Sequence, residues 1–212
     1  MFETVAATLD WLGVIVFTVT GALAASRKEM DFVGFAVLGT ATGIGGGTLR
    51  DLLLGLPVFW TGQPAYLLAC LVVSGAVFFT AHIPQSRYRS VLWLDALGLA
   101  LFAVAGAERA WQAGASATVA VVMGVVTATF GGVIRDLLGG ESPVILSREI
   151  YASAALTGAV TFVGLTAFGV PREFALGAGF VVCLAVRATS LRFGWALPRY
   201  RPRTAGPYNG TR

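Results

Sequence analysis

Shifted by 85 residues, this chain lies over itself without a gap. Asp10 falls on Asp95, Gly13 on Gly98, Phe17 on Phe102 and Gly21-Ala22 on Gly106-Ala107. Further along, Gly39 meets Gly124, Thr42 meets Thr127 and Gly46-Gly47 meets Gly131-Gly132. Arg50-Asp51-Leu52-Leu53 then meets Arg135-Asp136-Leu137-Leu138, and Tyr66 meets Tyr151. An ungapped register of this length marks an internal duplication rather than a chance likeness of apolar segments. Each copy holds three apolar stretches, and that odd number is the strongest constraint on the fold. A unit of three spans delivers its second copy to the membrane from the opposite side. The expectation is a pair of inverted repeats related by a pseudo-two-fold axis in the membrane plane.

Composition makes the stretches spans. Of 212 residues, 56% are hydrophobic and 12% charged, against about 25% charged in a soluble domain, and mean hydropathy is +0.77. A span needs about 20 apolar residues. Seven segments qualify: 5–25, 32–56, 63–81, 91–107, 115–138, 150–168 and 174–191. The fold class is therefore all-α integral membrane, with seven transmembrane helices arranged as three plus three plus one. The first repeat covers 1–84, the second 85–170, and the seventh span 171–194 lies outside the duplication. A basic tail, 195–212, with Arg199, Arg201, Arg203 and Arg212, is expected to be disordered and cytoplasmic. The N-terminus carries Glu3 and Asp10, lacks a basic leader region and does not read as a cleaved signal peptide.

The net charge of +4 belongs to a cytoplasmic face rather than to a nucleic-acid surface. Arg27, Lys28, Arg87, Arg89, Arg148, Arg192 and the tail arginines fall on one side; Arg109 and Arg172 fall on the other. The N-terminus is thus expected outside and the C-terminus inside. Trp11, Trp60, Trp93, Trp111 and Trp195 sit near span ends, as an aromatic belt requires. Cys70 and Cys183 form no metal spacing and read as packing residues.

Four glycines fall within Gly43-Ile44-Gly45-Gly46-Gly47, in the middle of the second span. Gly131-Gly132 repeat the feature in the fifth. Glycine costs about 1 kcal/mol relative to Ala inside a helix, so a kink or unwound turn is expected in both. Unwound backbone at membrane depth is tolerated only inside protein or beside a water-filled cavity, and its carbonyls are ligands for a dehydrated cation. Isolated glycines such as Gly21 and Gly75 need only allow close packing.

Arg50-Asp51 and Arg135-Asp136 follow the glycines. Adjacent helical residues point about 100° apart, so each Arg is expected to find another partner. Depth along the spans offers Asp10 for Arg50 and Asp95 for Arg135. Asp51 and Asp136 then remain to cap helix starts, bind water or face a pore. A structural ion-pair network and a pore lining are both consistent with this arrangement. Thr48, Thr127 and Thr129, with Thr40 and Thr42, place hydroxyls around the glycines, to line a pore or to bond back one turn. Gly43-x-Gly45-x-x-Thr48 lacks the preceding strand of a dinucleotide loop, and His82 reads as interfacial. No HExxH, GxSxG or P-loop occurs, and no enzymatic activity is expected.

The duplicated Gly-Gly-x-x-Arg-Asp, the Asp in the first span of each copy and the three-plus-three-plus-one layout resemble the prokaryotic TRIC proteins, trimeric intracellular cation-type channels. The resemblance runs to about Trp195. It implies a homotrimer in the inner membrane, each protomer with its own hourglass pore constricted at helices 2 and 5. It implies passage of monovalent cations, K⁺ and also Na⁺, without a cofactor and with membrane lipid as a partner. Carried over by motif, Gly45, Gly46, Gly47, Arg50 and Asp51 form one constriction and Gly131, Gly132, Arg135 and Asp136 the other. Phe130 stands where the first copy has Gly45, so the second kink is expected to be milder. Proteins with this repeat have also been labelled glycine transporters, and the alternative is a secondary transporter of glycine or a similar small zwitterion.

Overall fold

The computed structural model describes residues 2–81, 87–147, 149–196 and 198. His82 and nearly all of the tail lie outside the described residues. Among the described residues the chain folds into α1 (Phe2–Arg27), α2 (Phe32–Leu53), α3 (Phe59–Gly62), α4 (Ala65–Thr80), α5 (Arg87–Gln112), α6 (Ala117–Leu138), α7 (Ala152–Ala167) and α8 (Arg172–Phe193). A 3₁₀ turn, Val144–Leu146, separates α6 from α7. Helices α1, α2, α5, α6 and α8 are each long and apolar enough to cross a membrane. The chain is a multi-pass membrane protein.

The sequence sets several boundaries by side-chain chemistry. Asp31 accepts the Gly34 N–H at 2.8 Å to start α2, and Ser116 accepts from Val119 to start α6; both satisfy first-turn donors that have no intrahelical partner. Both helices end alike. Gly55 and Gly140 take left-handed φ values of 66° and 67°, which glycine adopts without a Cβ penalty. The next amides return into the last turn, Leu56 to the Asp51 carbonyl and Glu141 to that of Asp136.

Several boundaries depart from the expected spans, and α5 runs on to Gln112 rather than ending at Ala107. The second span stops at Leu53 rather than Leu56, because Gly55 turns the chain. The third and sixth shrink to α4 and α7, of 16 residues each, about 24 Å at 1.5 Å per residue. Ahead of them, outside the expected spans, stand α3 and the 3₁₀ turn.

Helices α1 and α2 form one antiparallel pair and α5 and α6 another, with α1 packed on α5 and α2 on α6. Phe17 and Phe102, equivalent in the two copies, stack at 5.2 Å between centroids in the middle. α4 covers α1 and α2 as α7 covers α5 and α6, while α8 packs on α5 and α7. α5 is thus the most enclosed helix, and its run from Leu99 to Ala107 is almost wholly buried.

Candidate ion pathway

The unwound turns expected at the glycines are not present. α2 runs as one α-helix through Gly43, Gly45, Gly46, Gly47 and Thr48, and α6 does so through Thr127, Thr129, Gly131 and Gly132. Close approach explains the glycines. A Cβ on Gly46 would strike the Thr127 carbonyl, and one on Gly131 would strike the Thr42 carbonyl. The two helix backbones therefore touch at equivalent points, which only residues without side chains permit. At Phe130 too the helix is unbroken, so neither copy unwinds. The hydroxyls take the conservative option: Thr48, Thr127 and Thr129 donate to the carbonyls of Ile44, Met123 and Val125, four residues back. Thr48 Oγ1 also accepts from the Trp60 indole at 2.9 Å.

The Arg-Asp pairs are used differently from the sequence expectation. Arg50 does bond its own neighbour, Nε to Asp51 Oδ1 at 2.9 Å and Nη2 to the same oxygen at 2.8 Å. Arg135 does likewise, Nε to Asp136 Oδ1 at 2.9 Å and Nη2 at 2.9 Å. The angular argument fails because an arginine stem is long enough to swing its fork sideways to the adjacent carboxylate. Each Asp then uses its second oxygen as an N-cap: Asp51 Oδ2 accepts from Phe59 at the start of α3, and Asp136 Oδ2 from Val144 at the start of the 3₁₀ turn, both at 2.9 Å. One carboxylate thus ties the end of a long helix to the start of the next segment, in both copies.

The second partners differ between copies. Asp95 Oδ1 lies 2.6 Å from Arg135 Nη1 with both side chains buried. Asp10 Oδ1 stands 3.9 Å from Arg50 Nη1, and the Asp10 side chain is 25% exposed. Beside them, Trp11 stacks on Tyr66 at 4.0 Å, so this indole turns inward rather than joining an interfacial belt.

Two cavities explain the difference. A wide one, of about 510 Å³, is lined by Asp10, Phe59, Gln63, Tyr66, Glu108 and Arg109, among others. A narrow one, of about 70 Å³, is lined by Arg27, Lys28, Leu92, Arg135, Glu141 and Val144, among others. Ala7, Pro57 and Phe59 line the first, and Leu92, Ser142 and Val144, each 85 residues later, line the second. Asp10 and Arg27, on opposite cavities, are about 25 Å apart along α1. α5 meets the cavities in the reverse order, the narrow one at Val91 and Leu92 and the wide one from Ala105 to Gln112. The two helices are antiparallel, and equivalent cavities open at opposite ends of the bundle. None of Gly43, Gly45, Gly46, Gly47, Thr48, Thr127, Thr129, Gly131 and Gly132 lines either cavity.

Three charged groups escaped the sequence reading. Arg187, fully buried in α8, bonds Glu149 Oε2 at 2.6 Å and the Ile150 carbonyl at 3.3 Å, with its guanidinium over the Tyr151 ring. A lone Arg within an apolar span carries the same signal that drew attention to Arg50. Glu108, one residue past the expected fourth span, is 1% exposed. Glu141 receives both Arg27, at 3.0 Å, and Lys28, at 3.2 Å, across the narrow cavity.

Fold and site together define a multi-pass α-helical membrane protein built on two buried Arg–carboxylate clusters, one facing each cavity. Its relatives make that class specific. The family model described as Glycine transporter matches twice, at residues 7–82 and 92–167, the second match shifted by 85 residues from the first. The UPF0126 inner membrane protein YadS of Escherichia coli is 40% identical over 195 residues, covering 91% of this chain and 94% of that protein. The crystal structure of the TRIC trimeric intracellular cation channel orthologue from Rhodobacter sphaeroides is 66% identical, with a TM-score of 0.88 over 91% of this chain and all of that one. A prokaryotic TRIC channel crystallised in 0.5 M KCl is 30% identical, with a TM-score of 0.84 over 93% of this chain and all of that one. The chain belongs to the family of these TRIC channels and UPF0126 membrane proteins.

Proposed function

We propose that the chain is a channel for monovalent cations, K⁺ and also Na⁺, in the inner membrane, with a separate path in each protomer of a homotrimer. The observation that carries the reading is the pair of equivalent cavities entering the bundle from opposite ends, one beside Asp10 and the other beside Arg135 and Asp136. The layout this implies is seven spans as 3+3 inverted repeats plus α8, with the N-terminus outside and the C-terminus cytoplasmic. The glycine-rich crossing is the neck of the path, and Arg50, Arg135, Asp10 and Asp95 set its electrostatics. In the arrangement described above the wide side is open. The narrow side is closed by the Asp95–Arg135 pair and by Arg27 and Lys28 on Glu141. Opening means parting α2 from α6 enough for water and ions to reach the Thr42 and Thr127 carbonyls. The solved relatives named as cation channels, at 66% and 30% identity, support the class of substrate. Purified protein in planar bilayers should give unitary K⁺ currents; folded protein without them refutes the reading.

One observation favours a second reading. Two equivalent cavities of unequal volume are what a transporter working by alternating access presents in one of its two states, and the family model is described as Glycine transporter. Saturable glycine counterflow in liposomes without unitary currents would establish it instead.

A further inference from the structure

Glu108 is not part of the duplication: the position 85 residues earlier is Leu23. It therefore does nothing that the paired clusters need, yet its side chain is buried in the wall of the wide cavity. Oε1 accepts hydrogen bonds from Gln112 Nε2 at 2.7 Å and from Arg172 Nη1 at 3.4 Å. Oε2 has no hydrogen-bond partner among the described residues. A buried carboxylate oxygen left unpaired is unfavourable, and a distant contact from an Arg172 side chain that is 39% exposed offsets it only in part. Asp10, Gln63, Gln112 and Tyr66 bring further oxygens to the same cavity, where Arg109 is the one cationic side chain among the lining residues.

We propose that Glu108 is the acceptor, in the wide cavity, for a small monovalent cationic group: a K⁺ or Na⁺ ion, or the ammonium end of a small zwitterion. The assignment rests on the cavity being the entrance to the transport path. Glu108 concentrates the cation before the neck, and Asp10, deeper along the wall and loosely held by Arg50 at 3.9 Å, is the next carboxylate it meets. The two sources differ in their use of Arg109, which repels an ion but pairs with a zwitterion's carboxylate. The positions equivalent to Glu108 and Gln112 are Leu23 and Arg27, of which Arg27 lines the narrow cavity, so the site is one-sided.

Binding is read without transport, as the rise in melting temperature of the purified full chain with KCl or with glycine, ionic strength being held by N-methylglucamine chloride. Glu108→Gln, equal in volume, should need about tenfold more ligand for the same rise, the loss of one pairing of about 1.4 kcal/mol. In bilayers its half-saturating K⁺ should rise for current entering from the wide side and stay unchanged from the narrow side. Arg109→Gln should move the KCl curve to lower concentration if an ion is bound, or the glycine curve to higher concentration if a zwitterion is. Unmoved curves in both variants, or an equal shift from both sides, overturn the assignment. Wild-type protein that lacks currents but shows a KCl or glycine rise removed by Glu108→Gln keeps the site and refutes the channel. Normal currents with unmoved curves do the reverse. If Glu108→Gln does not fold, Arg109→Gln carries the test.

Discussion

Asp10 and Asp95 occupy the same place in the two copies, but their removal should have unequal consequences. Asp95→Asn takes the charge from a 2.6 Å contact in which both side chains are at most 4% exposed. Breaking a buried pair by removing one partner costs about 3–5 kcal/mol. Arg135 keeps Asp136 at 2.9 Å, so its charge stays compensated and the low end, about 3 kcal/mol, applies. Asp10→Asn loosens a 3.9 Å contact with a partly exposed carboxylate, while Arg50 keeps Asp51 at 2.8 Å. Its loss is that of a screened pair, about 0–1 kcal/mol. The assay is thermal unfolding of the purified protein in one detergent, the two variants side by side. The Asp95→Asn melting temperature should fall at least twice as far as that of Asp10→Asn. On the proposed channel reading the same variant should also raise open probability. Equal losses in the two variants would refute the claim that the copies are held in different states.

The bridges from Arg27 and Lys28 to Glu141 are partly exposed and together worth about 1 kcal/mol. Glu141→Gln should therefore raise the open-to-closed ratio roughly fivefold at low salt and much less at high salt, read as open probability in bilayers. Gly46→Ala pushes a Cβ into the Thr127 carbonyl and should cost about 1–3 kcal/mol by overpacking. Gly62→Ala, with open space around it, should be close to neutral in the same melting assay. Arg187→Gln leaves the Glu149 carboxylate and the Ile150 carbonyl without their donor and should lower stability by about 3 kcal/mol, measured the same way. Cysteine at exposed Gln63 should react with a membrane-impermeant thiol reagent on intact cells, and cysteine at Glu141 only after permeabilisation. The reverse pattern would invert the orientation; buried Cys70 and Cys183 give a low background.

Much of the layout was legible because the duplication supplies its own control. The register that aligns Asp10 with Asp95 also aligns Asp51 with Asp136, and the structure uses both of the latter to cap the segment eight residues on. Depth counting along the spans brought Asp95 to Arg135, since rise per residue is nearly invariant in a helix. The glycines were misjudged for a tertiary reason. Their helical cost is visible in the sequence, but the carbonyl of the neighbouring helix that requires their bareness is not, since Gly46 and Thr127 are far apart in the chain. Arg and Asp at adjacent positions were misjudged for a local one, because the angle between Cα–Cβ bonds ignores the reach of a guanidinium. Glu108 falls just past the expected span 91–107, yet it is buried, and Arg172 at the start of α8 bonds it.

The remaining question is why copies with the same Gly-Gly-x-x-Arg-Asp motif hold their first-span Asp at 3.9 Å in one case and 2.6 Å in the other. The cause has to lie outside the motif, and the contacts of α8 supply it. Arg187 draws in Glu149 and the Ile150 carbonyl and lies over Tyr151, so it fixes the segment that enters α7. Tyr151 in turn abuts Gly132, with its hydroxyl where a Cβ would be, against the Asp95–Arg135 pair. The equivalent Tyr66 has no such anchor, since α8 packs on α5 and α7; it stacks on Trp11 and opens onto the wide cavity. Helix α8 thus breaks the likeness of the two copies by bracing the entry to α7, and on the proposed channel reading it favours closure on that side. If the proposed path runs between the copies, bracing on one side only gives it a preferred resting state, and the direction of that preference follows from where α8 lies.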